Sequence, residues 1–511
     1  MTEPADLIVT GAEVHTLGEA GIVEAIAIRN GRVIKCGDSP SVGLLEGVDT
    51  TVIDGDGRTV IPGFVDGHTH LQSTGRYLVF ADLSGATDRD DVLARLTTDD
   101  GRYGDWTVGI GYDESRWSDG GRLTRDDLDS VSTDRPVVAF RVDMHTASLN
   151  SVALDRVGDE LPAEYVKTED GRPTGIILED ALSVVRADIG GDDLTRTLLT
   201  AAQEYAHSVG VTAINDYVRS STVARTYHEL DRDDELTLRV RLNYWRDHLD
   251  AIADVGLVAN QGSEHLTIGA IKSFSDGSVG GRTAKVSEPY TDGNGTGRWV
   301  VEPETLRDLV DRIDEEGHQV AIHAIGDVAV EAALSAIERA DDASKARHRI
   351  EHVELATDDH LERMADAGVI ASMQPNFHQW GDAGGLYETS LGDRHARMNR
   401  FRDVLDAGVP LAFGSDSMPL DPLYGVHCAV TARYDCQRLT VDEAIEAYTI
   451  GAAYAGFDEN RLGRLVPGYA GDCVVLDQSP WEVPSGIENI EVTQTVVGGE
   501  LVYEAESSTH D

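Results

Sequence analysis

The stretch VIPGFVDGHTH, residues 60–70, decides the reading of the fold. It is an apolar strand-like run, 60–66, that ends in an acid and is followed by two histidines one residue apart. In extended chain, residues two apart project to the same side, so His68 and His70 can reach one ion. A lone H-x-H is a weak signal, and its position at the end of an apolar strand after Pro62-Gly63 strengthens it.

Further strand candidates lie downstream at 211–217, 238–245, 266–274, 319–325, 347–354, 368–374 and 410–416, making eight with the first run. Most of the gaps hold a helical pattern. In PETLRDLVDRIDEE, residues 303–316, a proline opens the helix and Gly317 stops it before the next strand. Eight β/α units in series predict an α/β fold, a (β/α)8 TIM-like barrel over residues 61–465. The first crossover is far too long, about 140 residues, so 71–210 is expected to be an inserted subdomain or an elaborated loop. Short β-rich runs at both ends (6–36 and 472–504) need a partner surface. Residues 1–60 and 466–505 are therefore expected to form one small composite β-sandwich domain. The closing AESSTHD reads as a frayed tail.

Composition narrows the function classes. The 511-residue chain carries 43 Lys+Arg against 91 Asp+Glu, a formal charge of −48. Nucleic acid and anionic membranes are excluded as partners on that ground. The acids are spread along the chain, which reads as a solvated surface; a basic-partner binding module is the competing reading. Lysine occurs five times and arginine supplies the other cations, a pattern that resembles proteins of salt-loving microbes. No apolar run is long enough for a membrane span, and the N-terminus has no secretory pattern, so a cytoplasmic location is expected. Cys36, Cys428, Cys436 and Cys473 form no C-x-x-C pair and read as free thiols. Self-association stays open.

Several side chains that could bind metal fall on or just after separate strands. Beyond His68 and His70, these are Lys272 (TIGAIKSFSDG), His323 (VAIHAIGD), His352 (RIEHVEL) and Asp416 (LAFGSDS). Each alone has a bland reading: a snorkelling lysine, core histidines, a helix N-cap. Their joint placement at carboxyl ends of strands, where such barrels keep their active sites, points to a divalent metal centre.

This set resembles the amidohydrolase superfamily, and more narrowly its amidohydrolase-3 branch, which includes N-substituted formamide deformylase-like proteins. The likeness spans nearly the whole chain and includes GIGYDESRW through HTASLNSVAL, KSFSDGSVGGRTA and LGRLVPGYAGDCVVLD. It implies two zinc ions bridged by a carbamate on Lys272, with His68, His70, His323, His352 and Asp416 as the other ligands. A hydroxide held by the metals would attack a carbonyl carbon, and Asp416 would carry its proton to the departing amine. The implied reaction is hydrolysis of a non-peptide C–N bond in a small-molecule amide, formamide or cyclic amide. Alternatives are an amino-heterocycle deaminase or a lactone or ester hydrolase on the same site, and, more remotely, a non-catalytic barrel scaffold. His145, in the insertion, and Arg282, beyond the fourth strand, are expected substrate contacts; Arg282 has a competing role in balancing a neighbouring acid.

Overall fold

The computed structural model describes residues 3–98, 101–117, 120–293, 295–340 and 342–506, so most of the expected tail lies outside the described residues. The chain divides into two compact units, one up to His70 and from Glu204 onward, the other Leu71–Gln203.

In the first unit eight strands make one parallel sheet. They are β1 (Phe64–Thr69), β2 (Val211–Val218), β3 (Arg239–Trp245), β4 (Leu266–Phe274), β5 (Val320–Ala324), β6 (Arg349–His352), β7 (Ile370–Met373) and β8 (Leu411–Phe413), paired in chain order. The result is a nearly closed TIM-like barrel. Burial explains the sequence pattern: every residue of β1, β2, β5, β6, β7 and β8 is buried, hence their near-continuous apolar runs. The helix Pro303–Glu315 follows its sequence signals, with proline in its first turn and Leu306, Val310 and Ile313 buried along one face.

The seam of the barrel lies between β8 and β1. There the Asp416 N–H donates to the His68 carbonyl at 2.7 Å and the Ser415 N–H to Asp66 Oδ1 at 3.1 Å. A side chain on Gly414 would put its Cβ 2.3 Å from the His68 nitrogen, so glycine allows this approach.

The run at 60–66 serves two sheets. Thr59–Pro62 joins a terminal sheet and β1 starts at Phe64; the joint is Gly63, where a Cβ would meet Thr212 Oγ1 at 2.2 Å. The six-stranded terminal sheet runs Glu500–Glu504, Val492–Val497, Cys473–Leu476, Thr59–Pro62, Glu13–His15, Ile22–Val23, so three late strands and three early ones join in one sheet where Cys473–Leu476 pairs with Thr59–Pro62. A four-stranded sheet of Arg32–Gly37, Ala25–Arg29, Leu7–Thr10 and Thr51–Asp54 accompanies it. Leu7, Val9, Ile26 and Ile28 of this sheet share one apolar cluster with Val60, Val475 and Val496 of the other.

The second unit has a seven-stranded sheet of its own and a core around Trp106, Ile110, Phe140, Leu149, Leu182 and Val185. All four cysteines carry free thiols. No helix among the described residues is long and apolar enough to cross a membrane.

Candidate active site

Five barrel strands deliver the six candidate side chains to one place. His68 lies in β1 and His70 just beyond it, Lys272 inside β4, His323 in β5, His352 at the end of β6, and Asp416 after β8. All six line a single cavity of about 400 Å³. A larger cavity, about 1040 Å³, opens at the amino end of β8 beside Pro410 and Cys36 and contains none of them.

The four imidazoles share one arrangement. His68 Nδ1 lies 2.6 Å from Glu351 Oε2, and His70 Nδ1 lies 2.9 Å from the Tyr217 carbonyl. His323 Nε2 lies 3.0 Å from the Gly277 carbonyl, and His352 Nδ1 lies 2.7 Å from Gln374 Oε1. Each partner atom is an acceptor, so the contacted nitrogen carries the proton and the other ring nitrogen keeps its lone pair. Metal-binding histidines are held in this way. Burial keeps His68, His323 and His352 well below the ordinary imidazole pKa, with neighbouring cationic groups pushing the same way. Neutral rings are the form that ligates.

Asp416 Oδ1 stands 3.7 Å from His68 Nε2 and 3.4 Å from His70 Nε2, and donor atoms of the three residues lie within 4.8 Å of one another. Burial raises the Asp416 carboxyl, and the Lys272 ammonium opposes that shift. Lys272 is 1% exposed, and its Nζ has no hydrogen-bond partner among the described residues. It sits 4.6 Å from the centroid of the Tyr217 ring, and burial lowers its pKa against the pull of Glu351 and Asp416. A buried amine inclined to neutrality beside three converging donors suits a carbamate or a metal-bridging role. The donor set therefore fits divalent metal.

Beneath the ligands lies a charged network inside the barrel. Glu351 accepts from His68 Nδ1, from the Tyr217 hydroxyl at 2.8 Å and from Arg349 Nη2 at 3.3 Å, and it forms an ion pair with Arg349, whose Nε lies 2.6 Å from Oε1. Arg349 also donates to the Gly67 carbonyl and to Ser372 Oγ, each at 2.6 Å. Burial would raise Glu351, but Arg349 and then His68 overcome it and hold the carboxylate well below its usual range. Asp66 binds the backbone N–H groups of His68 and Ser415, and burial lifts it to about 7.

The backbone is strained at two of the candidate ligands. His352 and Val353 have φ of 77° and 52°, and Asp416 and Ser417 have 52° and 60°. Left-handed backbone is unfavourable for non-glycine residues, most of all for branched valine, and such strain gathers at functional sites.

Arg282 departs from the expectation of a substrate contact. Its Nε and Nη2 engage Asp292, and its Nη1 donates to the Val279 and Gly280 carbonyls at 3.0 Å. Its charge is thus spent locally, and the cavity is lined by Ser278, Val279 and Gly280 of the same loop. His145 belongs to the Leu71–Gln203 unit, where its exposed ring meets Glu179 at 2.9 Å. Sequence reading passes over Asp66, Tyr217, Arg349, Glu351, Gln374 and Glu354. The last lines the cavity, is 3% exposed, and leaves Oε2 without a hydrogen-bond partner among the described residues.

The amidohydrolase family model matches residues 51–503. The chain belongs to the amidohydrolase family. This amidohydrolase is 29% identical to a putative amidohydrolase, YtcJ, of Bacillus subtilis, over 97% of this chain and 98% of that one. It is 27% identical to the N-substituted formamide deformylase of Arthrobacter pascens, over 99% and 100%. Among solved structures, an uncharacterized metal-dependent hydrolase of Pyrococcus furiosus superposes with a TM-score of 0.78 at 30% identity, over 93% of this chain and 99% of that one. The protein is a hydrolase acting on carbon–nitrogen bonds other than peptide bonds.

Proposed function

We propose that this amidohydrolase cleaves an amide, formamide or cyclic amide, using two zinc ions that His68, His70, Lys272, His323, His352 and Asp416 would hold. One observation carries the reading: these six side chains line one cavity, and all four imidazoles have one nitrogen fixed by an acceptor. Full-length similarity to a formamide deformylase supports the choice of bond. Lys272 would help hold the metal as a carbamate, formed when its neutral amine adds CO2 and loses a proton. The bound metal supplies Lewis acidity, which acidifies water and polarises a carbonyl.

The chain's residues do the rest. Asp416 takes a proton from the attacking water at Oδ and returns it to the leaving nitrogen. The C–O bond forms, the C–N bond breaks, and the amine leaves neutral; without that proton it would have to leave as an amide anion. Glu351 keeps His68 in one tautomer, and the cavity walls exclude bulk water. The terminal segments 1–60 and 466–505 serve as a structural domain and supply none of these groups. A cytoplasmic location completes the reading.

The test pairs elemental analysis of the purified protein with assays on N-acyl, cyclic and amino-heterocyclic compounds. We expect about two divalent ions per chain and turnover of an N-acyl or cyclic amide. One ion per chain would remove the bridge from Lys272. Turnover confined to amino-heterocycles or lactones would overturn the choice of bond.

A further inference from the structure

We infer that Glu354 is the specificity residue of this cavity, and that the substrate is an aromatic or bulky aliphatic molecule carrying an N–H donor that the unpartnered Glu354 carboxyl oxygen accepts. The inference rests on the proposed hydrolysis and names its substrate class. Two observations carry it. The first is an unanswered acceptor: Glu354 is 97% buried, lines the cavity, and Oε2 has no hydrogen-bond partner among the described residues. A buried polar atom without a partner is destabilising, and native structures rarely keep one unless a ligand answers it.

The second observation is the chemistry of the surrounding wall. Phe274, Ile325, Phe377, Trp380 and Leu386 line the same cavity. The Phe377 and Trp380 rings meet at 4.8 Å, and Tyr387 stands against Trp380 at 6.2 Å. These surfaces take an apolar body, with a carboxyl oxygen of Glu354 as the acceptor set among them. Glu354 follows the left-handed pair His352-Val353, so the strained turn that ends β6 places both a proposed ligand and the acceptor on one cavity. A site built to accept an N–H discriminates strongly against an analogue that lacks it, because the acceptor is then left buried and unpaired.

The test uses the metal-loaded full chain and two probes, N-benzylformamide and its N-methyl derivative. Kd from calorimetry, and kcat/KM where turnover occurs, are measured for wild type, Glu354→Gln and Glu354→Leu. We expect wild type to prefer the N–H probe by about tenfold or more. Glu354→Gln, which keeps an acceptor, should retain a reduced preference, and Glu354→Leu should hold it below about threefold. Glu354 also shares a hydrogen bond with the Tyr387 hydroxyl, which Glu354→Leu gives up, so the probe preference and not the Tm is the deciding readout. A merely structural Glu354 would leave the probe preference unchanged. Equal binding of the probes by wild type, no binding of either, or a preference that survives in Glu354→Leu overturns the inference. Should the leucine variant fail to fold, a Glu354→Gln preference equal to wild type does the same. Tight N–H-selective binding without turnover would leave Glu354 its role and refute the proposed reaction with this probe.

Discussion

Replacing Glu351 by Gln tests whether the buried charge network holds the site together. Three groups meet the two Glu351 oxygens: His68 Nδ1 at 2.6 Å, the Tyr217 hydroxyl at 2.8 Å and the Arg349 guanidinium in an ion pair at 2.6 Å. In Glu351→Gln one oxygen becomes an NH2 group, which sets donor against donor at that spacing. The Arg349 charge, fully buried, loses its counter-ion and keeps the Gly67 carbonyl and Ser372 hydroxyl. Breaking a buried pair from one side costs about 3–5 kcal/mol. His68 also loses the acceptor that fixes its tautomer, and losing such a partner weakens metal binding by roughly 10–100-fold. Chemical denaturation with a fluorescence readout measures the first effect, and competition of the protein with a zinc chelator measures the second. The reasoning fails if the variant keeps its stability to within about 0.5 kcal/mol and its metal affinity to within about twofold.

Asp416→Asn should preserve the fold, by circular dichroism and melting, while abolishing turnover; residual activity near that of wild type would place the proton transfer on another group. His207 gives a pH prediction away from the site. It is 3% exposed, its Nδ1 lies 3.1 Å from the Val211 carbonyl and its Nε2 2.9 Å from Thr237 Oγ1. Burial lowers its pKa from 6.5 to about 4. The unfolded chain binds the proton more readily, so this contribution is present above pH 6.5 and is lost as pH falls towards 4. It amounts to up to about 3 kcal/mol. A stability profile of His207→Gln that runs parallel to wild type across that window would contradict this. With a net charge of −48, melting temperature should rise with added salt as self-repulsion is screened; a maximum at low ionic strength would speak against it.

The barrel is legible in the sequence because its strands are buried on both faces, so each appears as a short apolar run. The proposed ligands stand out because charged or imidazole side chains interrupt those runs near their carboxyl ends. Three features escape for physical reasons. Gly63 splits one apolar run between two sheets, which periodicity cannot register. Some strands of the insertion's sheet, such as Val166–Glu169, are short and mostly exposed and resemble loop. Arg349 and Glu351 read as surface charge, although their spacing of two within a wholly buried strand carries the signal of an internal ion pair. The role of Arg282 turns on Asp292, ten residues away, a contact that only the folded loop reveals.

The joining of early and late strands in one sheet bears on how the protein is made. Thr59–Pro62 pairs with Leu476–Cys473, synthesised roughly 400 residues later, a delay of roughly 20–80 s at about 5–20 residues per second. Until then the amino-terminal strands emerge from the ribosome with an open edge and apolar side chains awaiting cover, the state in which strands stick to foreign partners. Completion of this sheet thus waits on Cys473–Leu476, and a chain released before that strand by a premature stop would keep the edge exposed.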